Sequence, residues 1–359
     1  MKVLYIGNYK DGTGWGNAAM GNILAMQSAG IDVVARPVTY NVSEDTEVCQ
    51  GIISAESNSI DDCDVVVQHV LPNYYSYNGD YRNVGYLDIE SSNIRPTSWH
   101  KYCNMMDEMW VPSHATAKIL VDSGVNVPIH IVPHPVRVNA SANGNKIEEL
   151  NSGFTFGFVG EFIERKNIKA LIQAFHMEFE NHEPVNLFIK TSGKTLEFAQ
   201  GYFEQIKKGL RIRNSYKNEI TVAGRLEEND YMSVLSQIDC FVMPSRGEAY
   251  CIPAVEAMSL GIPAIYTEGT GMDHLVGWPV RSYEAPCFGA TESLPCLDTA
   301  ASTWREIDLL DLCKTMRMAY DSCFPDSTLR EKCVLESRKF SHHSVGQTIK
   351  EILNDNSPN

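Results

Sequence analysis

The chain has 359 residues, with 30 Lys and Arg against 45 Asp and Glu, a formal net charge of −15 and 43% apolar residues. That length and apolar share suit two domains of ordinary size, and the acidic balance disfavours a footprint on nucleic acid or on an anionic membrane. No apolar run approaches the roughly 18 residues of a membrane span, the first residues lack a signal-peptide core, and ten scattered cysteines without a CxxC pair fit a reduced, cytoplasmic protein better than a disulfide framework or a zinc site.

In chain order, "KVLYIGN" (Lys2 to Asn8) reads as a strand that runs into a glycine-rich loop, "DGTGWGN" (Asp11 to Asn17). Ala19, Ile23 and Met26 then follow helical spacing, and Gly30 stops the helix. "IDVVARP", Asp62 to Val70 and Asn83 to Glu90 read as further strands. "DEMWVPS", the helix pattern "HATAKILVDSG" and "IHIVPHPV" close this half. The polar stretch Val138 to Gly153 reads as a linker.

After it the alternation restarts. Strands are expected at "FTFGFVG", "VNLFIKT", "EITVAG", "DCFVMPS" and "PAIYT", with helices at "IKALIQAFHMEF", "YFEQIKKGL", "NDYMSVLSQ" and "PAVEAMSLG" between them. From about Pro325 the chain reads as terminal helices. Strands alternating with helices imply parallel sheets covered on both faces. The expected fold is therefore α/β, with two Rossmann-like doubly wound domains facing a central cleft. Their bounds are 1–145 and 146–325, and helices over 326–359 pack back toward the first domain.

Ligands of open α/β sheets sit beyond the carboxyl ends of the strands. Two candidate stretches lie at such ends. In "SRGEAYCIPAVEAMSLG", Glu248 falls in the loop after a strand, and Glu256 is expected in the first turn of a helix that opens at Pro253 and leaves at Gly261. Backbone N–H groups over Tyr250 to Ala254 are expected to be free for an anion or a hydroxyl. In "GFVGEFIERKN", Arg165 and Lys166 stand where a helix begins, an unfavourable place for cations unless an anion such as a diphosphate lies there. By spacing alone, an N-terminal cap plus a surface residue, and a solvated basic turn, explain the same residues.

The loop "DGTGWGN" can cradle a phosphate, but its glycines do not fit G-x-G-x-x-G, and Arg36 rather than an acid ends the second strand. A dehydrogenase is thereby disfavoured. His69 at a strand end and His134 in "VPHPV" read as structural histidines, and Glu90 suits either an acceptor hydroxyl or a helix cap. The basic run Lys207 to Lys217 reads as a solvated helix face that leaves a local nucleic-acid patch open. No acid pair points to hydrolysis, no Gly-x-Ser-x-Gly elbow occurs, and no ligand cluster points to a metal.

Taken together, "GEFIERKN", "VAG…ENDYMSVLSQIDCFVMPSRGEAY" and the E-x7-E spacing of Glu248 and Glu256 with "EAMSLGIPAI" resemble, in order, family 4 of the GT-B glycosyltransferases. "GTGWG", "DEMWVPSHATAKILVDSGV" and "IHIVPHPV" are also similar to that family, so the likeness spans nearly the whole chain. The resemblance implies a retaining glycosyltransferase that moves a sugar from a UDP- or GDP-sugar to the hydroxyl of a saccharide, a lipid-linked or a small-molecule acceptor, with no metal or other cofactor for the chemistry. It implies that Glu248 contacts the donor sugar, Glu256 the ribose, and Arg165 and Lys166 the diphosphate. It implies further that backbone at Tyr250, Cys251 and Ile252 approaches the sugar and phosphate, and that Leu226 holds the base. By the same resemblance, Gly14, Trp15 and Gly16 are expected to touch the donor phosphates and the acceptor, and His69 to hydrogen-bond the donor sugar.

Two positions depart from the family pattern. Glu161 stands where many members carry Arg, and Cys251 where Gly is usual, so the donor loop is expected to be less free in φ. A nucleotide-sugar epimerase, a non-catalytic nucleotide-sugar binder and a transferase acting on bases in DNA are the alternatives on the same fold. Neither the donor, the acceptor nor the oligomeric state follows from these residues.

Overall fold

The computed structural model describes residues 1–40, 48–138, 142–287, 297, 299–323 and 327–355. Elements follow in chain order. The first run holds β1 (Lys2–Gly7), α1 (Gly14–Ser28), β2 (Asp32–Pro37), α2 (Gln50–Ser57), β3 (Val65–His69), β4 (Arg82–Tyr86), α3 (Trp99–Cys103), β5 (Glu108–Val111), α4 (His114–Asp122) and β6 (Ile129–Ile131). The second holds β7 (Phe154–Glu161), α5 (Ile168–Glu178), β8 (Val185–Ser192), α6 (Leu196–Leu210), β9 (Ile220–Ala223), α7 (Glu228–Leu235), β10 (Cys240–Met243), α8 (Ile252–Ser259), β11 (Ala264–Thr267), β12 (Gly277–Val280), β13 (Ser282–Pro286), β14 (Thr303–Ile307), α9 (Leu309–Cys323) and α10 (Ser327–Ser337). Helix α11 (His342–Asn354) ends the chain.

Two compact units result: residues 1–137 with 338–359, and residues 138–337. The expected linker over 138–153 lies partly outside the described residues, as does the expected boundary at 325/326. Helix α10 belongs to the second unit, where Arg330 and Val334 lie against Gly261 behind α8. The stretch that joins the first unit starts at Arg338.

In the first unit the sheet order is β2-β1-β3-β4-β5-β6, and every pairing is parallel. A parallel sheet covered on both faces needs apolar side chains on both, and the Val65–Val66–Val67 run is buried throughout. Thr13 and Ser113 cap α1 and α4 by accepting from the N–H groups of Gly16 and Thr116. Helix α11 lays Val345, Ile349 and Leu353 into the same core. It approaches α1 so closely that a Cβ at Gly346 would overlap the Ala25 carbonyl, so only glycine fits there.

The second sheet runs β12-β11-β10-β7-β8-β9, again all parallel. From β7 the chain winds out through β8 and β9, then returns to lay β10 on the other side of β7. That reversal makes a topological switch point between β7 and β10, where loops diverge beyond the strand ends and leave room for a ligand. Strands β13 and β14 pair separately as an antiparallel hairpin.

Candidate active site

The switch point gathers the two stretches singled out in the sequence. Arg165 and Lys166 occupy a 3-10 turn (Glu164–Lys166) directly after β7, and Glu248 lies in the loop after β10. Lys166 Nζ donates to Glu248 Oε1 at 2.7 Å, and Arg165 Nη1 approaches the same oxygen at 3.3 Å. Arg165 also holds the Gly247 carbonyl, and Ser245 Oγ donates to the Arg165 carbonyl at 3.1 Å. The side chains of Glu248, Arg165 and Lys166 are 5%, 13% and 14% exposed. Burial alone would raise the Glu248 carboxyl, but the charges of Lys166 and Arg165 outweigh it and hold the acid below the usual range. Acid and cations thus form one nearly dry cluster, in which each charge is worth more than in water.

Glu256 sits in the second turn of α8, not the first as expected, because the helix opens at Ile252, one residue before Pro253. Its Oε2 accepts from the Tyr231 hydroxyl at 2.8 Å. Burial, then the neighbouring Glu256 charge, pushes the Tyr231 phenol well above its ordinary value, so it stays a donor. Tyr231 was missed by sequence reasoning. It sits in α7, read only as a helix, and nothing in its spacing relates it to Glu256, 25 residues on.

Cys251 caps α8 with φ 72°, in the left-handed region that a glycine enters without strain. The expected loss of φ freedom therefore appears as backbone strain at a non-glycine residue. Burial pushes the Cys251 thiol up to about 12, which removes it as a nucleophile. The amides after it are not all free, since Ala254 N–H donates to the Cys251 carbonyl at 3.1 Å. Ile252 opens α8, Leu226 is half-buried between β9 and α7, and Tyr250 is buried with its ring stacked on His274 at 4.4 Å.

Gly271 fixes the height of the Glu248 loop. Its N–H donates to the Glu248 carbonyl at 2.8 Å. A Cβ there would come within 2.6 Å of that oxygen and closer still to the Ala249 carbonyl. Gly271→Ala must therefore displace the carbonyls of Ala249 and Glu248. We expect a stability loss of about 1–3 kcal/mol by overpacking, together with a weakened response to nucleotide; melting curves with and without nucleotide check both.

In the first unit, Gly14, Trp15 and Gly16 form the opening of α1. The loop before them is stiffened by Asp11, which accepts from Thr13 N–H at 3.0 Å and from its hydroxyl at 2.6 Å. Gly7 and His69 are partners across the β1–β3 switch point. The His69 ring is not presented to a ligand. Nδ1 meets the Tyr5 hydroxyl at 2.7 Å, Nε2 meets Asp88 Oδ2 at 2.9 Å, and the ring stacks on Tyr86 at 4.3 Å. His134 takes the other Asp88 oxygen at 2.8 Å. Both ring nitrogens of His69 thus have partners within the unit, and the residue is buried. Glu90 follows at the edge of this network and is half-buried.

The basic run is solvated only in part: Lys208 and Arg211 are exposed, but its other cations are engaged. Lys207 is 2% exposed and pairs with Glu219 at 3.0 Å and Glu204 at 2.6 Å. Lys217 donates to the carbonyls of Glu183 and Val185, and Arg213 to that of Phe179. Among the described residues no group of His, Cys, Asp or Glu is placed to hold a metal, and no helix is long and apolar enough to cross a membrane.

Two units, each built on an all-parallel six-stranded α/β sheet, match the fold of GT-B glycosyltransferases. Sucrose-phosphate synthase from Thermosynechococcus elongatus superposes with a TM-score of 0.65 over 98% of both chains at 12% identity. A UDP-forming α,α-trehalose-phosphate synthase from Burkholderia xenovorans does so at 0.66 over 99% of both chains at 11% identity. Residues 142–278 match the family model described as group 1 glycosyl transferases. The serotype-specific mannosyltransferase WbdA of Escherichia coli is 28% identical over 120 residues, 32% of this chain and 14% of that protein. The chain thus matches about a seventh of the length of that relative.

Proposed function

We propose that this chain is a retaining glycosyltransferase that moves a sugar from a UDP- or GDP-sugar to an acceptor hydroxyl. The observation that carries it is the convergence of Arg165 and Lys166 on Glu248 at the β7/β10 switch point. Arg165 and Lys166 hold the diphosphate and take up the charge that develops on it as the sugar departs, which is preorganised electrostatic stabilisation. Glu248 keeps both cations in place and accepts hydrogen bonds from donor-sugar hydroxyls. Glu256, aimed by Tyr231, accepts from the ribose, and Leu226 borders the base. Backbone at Tyr250, Cys251 and Ile252 faces the sugar and phosphate.

The first unit serves the acceptor. Its anion-binding helix start at Gly14, Trp15 and Gly16 contributes to phosphate and acceptor binding, and His69 acts there through Asp88 rather than by touching the sugar. In the transfer, the bond from the anomeric carbon to the phosphate oxygen breaks and one to the acceptor oxygen forms on the same face. The acceptor proton goes to a donor phosphate oxygen. No step calls on a metal or cofactor. The mannosyltransferase name of WbdA and the UDP-forming name of the trehalose-phosphate synthase support this reading. Ten scattered cysteines without a CxxC pair agree with a cytoplasmic setting.

A melting panel of nucleotide sugars, followed by acceptor assays, tests it. A true donor at a hundred times its Kd stabilises the native state by about 2.7 kcal/mol, and nucleoside diphosphate should appear only when acceptor is present. Isomerised donor without acceptor indicates an epimerase. Binding with no release under any acceptor indicates a non-catalytic binder.

A further inference from the structure

The hairpin β13–β14 lies beyond residue 278, where the family match ends. It nevertheless reaches the switch point. Arg305 N–H donates to the Arg246 carbonyl at 2.7 Å, which ties β14 to the loop that carries Glu248. Next along β14, Glu306 grips the Arg246 guanidinium with both oxygens, Oε2 to Nε at 2.5 Å and Oε1 to Nη2 at 3.3 Å. Its Oε1 also accepts from Asn167 Nδ2 at 3.3 Å.

Both of these partners matter. Asn167 is buried, lies in the left-handed region at φ 53°, and immediately follows Lys166. Arg246 is two residues before Glu248. Arg246 N–H donates to the Arg165 carbonyl at 2.8 Å, its Nη1 reaches Glu164 Oε1 at 2.8 Å, and its guanidinium lies over the Trp304 ring at 5.1 Å. One carboxylate therefore holds the turn that carries the two cations and the loop that carries their acid.

We propose that Glu306 is a positioning residue for diphosphate binding, acting through Arg246 and Asn167 to set the spacing of Arg165 and Lys166 against Glu248. This rests on the function proposed above. A two-oxygen grip on a planar guanidinium fixes orientation as well as distance, and a small displacement of the cations weakens their hold on a phosphate more than on the rest of a nucleotide.

The test uses Glu306→Gln in the full chain, which keeps size and polarity and removes the charge. UDP, GDP, UMP and GMP are titrated by calorimetry, and melting is recorded in parallel. The preference of the wild type for a diphosphate over its monophosphate should fall about tenfold, a change of 1.4 kcal/mol, with monophosphate affinity and melting little changed. Arg246→Lys should reproduce that loss, and the double variant should add little to either single change. If Glu306→Gln does not fold, Arg246→Lys carries the same comparison.

An unchanged preference in the variant overturns the inference and leaves the function standing. Equal loss of mono- and diphosphate binding together with melting also overturns it, since that is general loosening. A wild type that binds neither UDP nor GDP overturns the function, and the inference with it.

Discussion

Lys166→Ala is expected to lower transfer about a hundred- to a thousandfold, the cost of removing one preorganised charge partner from a reacting centre. The size follows from where the ammonium sits. Nζ is 2.7 Å from Glu248 Oε1 on a side chain only 14% exposed, so water screens it little. In the transfer proposed above, negative charge grows on the diphosphate as the sugar leaves, and an ammonium already held in place by Glu248 would meet it with little reorganisation. The fold should lose much less. Glu248 keeps Arg165 at 3.3 Å, so the buried acid is not stranded. Turnover at saturating donor, read beside the melting temperature, separates the two effects. Turnover close to wild type would remove Lys166 from the chemistry and leave its pairing with Glu248 as purely structural.

Glu248→Ala has a different logic. It leaves Arg165 and Lys166 facing each other without their shared anion, so both donor binding and stability should drop. The contrast between the two variants follows from the ion-paired geometry, which the spacing of the residues did not show.

Legibility in the sequence tracked regularity of pattern. The alternation of buried strands and amphipathic helices places β7, β8, β10 and β11 correctly, because parallel strands buried on both faces read as short apolar runs. The same alternation puts Arg165, Lys166 and Glu248 beyond strand ends. Less regular elements went unread. Strand β12 contains Gly277 and Pro279 and lies at a sheet edge, where such residues are tolerated but leave no strand signal. Helix α2 has two buried residues and no side-chain cap. Hairpin β13–β14 carries alternation too weak to read.

Within the site, what escaped was pairing at long range. Tyr231 with Glu256, Glu306 with Arg246 and the capture of both His69 nitrogens join residues with no local relation. The burial of Lys207 beside Glu219 belongs with them, because a charge run on a helix looks solvated until its partner just before the next strand is placed.

Asp88→Ala is expected to destabilise the first unit by about 3–5 kcal/mol, the usual cost of breaking a buried charged network by removing one member. Asp88 is 5% exposed and receives His69 Nε2 at 2.9 Å and His134 Nε2 at 2.8 Å. Behind His69, Tyr5 donates to Nδ1, and Asn22 donates in turn to the Tyr5 hydroxyl at 3.3 Å. Donors thus run from Asn22 on α1 through Tyr5 on β1 and His69 on β3 to a single carboxylate after β4. Taking that acceptor away leaves two buried imidazole N–H groups unpaired and loosens the contact between α1 and the sheet. Asp88→Asn offers one oxygen for two donors and should cost less, about 1–3 kcal/mol. Burial alone would raise the Asp88 carboxyl, yet the two histidines pull it far below its ordinary value. A carboxyl lowered on folding stabilises fully above its unfolded value, near pH 4, and loses that contribution only as acid falls toward the folded value. The gap between wild type and Asp88→Asn in urea unfolding should therefore be present at pH 5 as at pH 7.5. Hydrogen exchange should locate the loss in β1 and β3. A variant as stable as wild type at both pH values would mean that the histidines find other acceptors, and that the carboxylate is not what ties α1 to the strands beneath it.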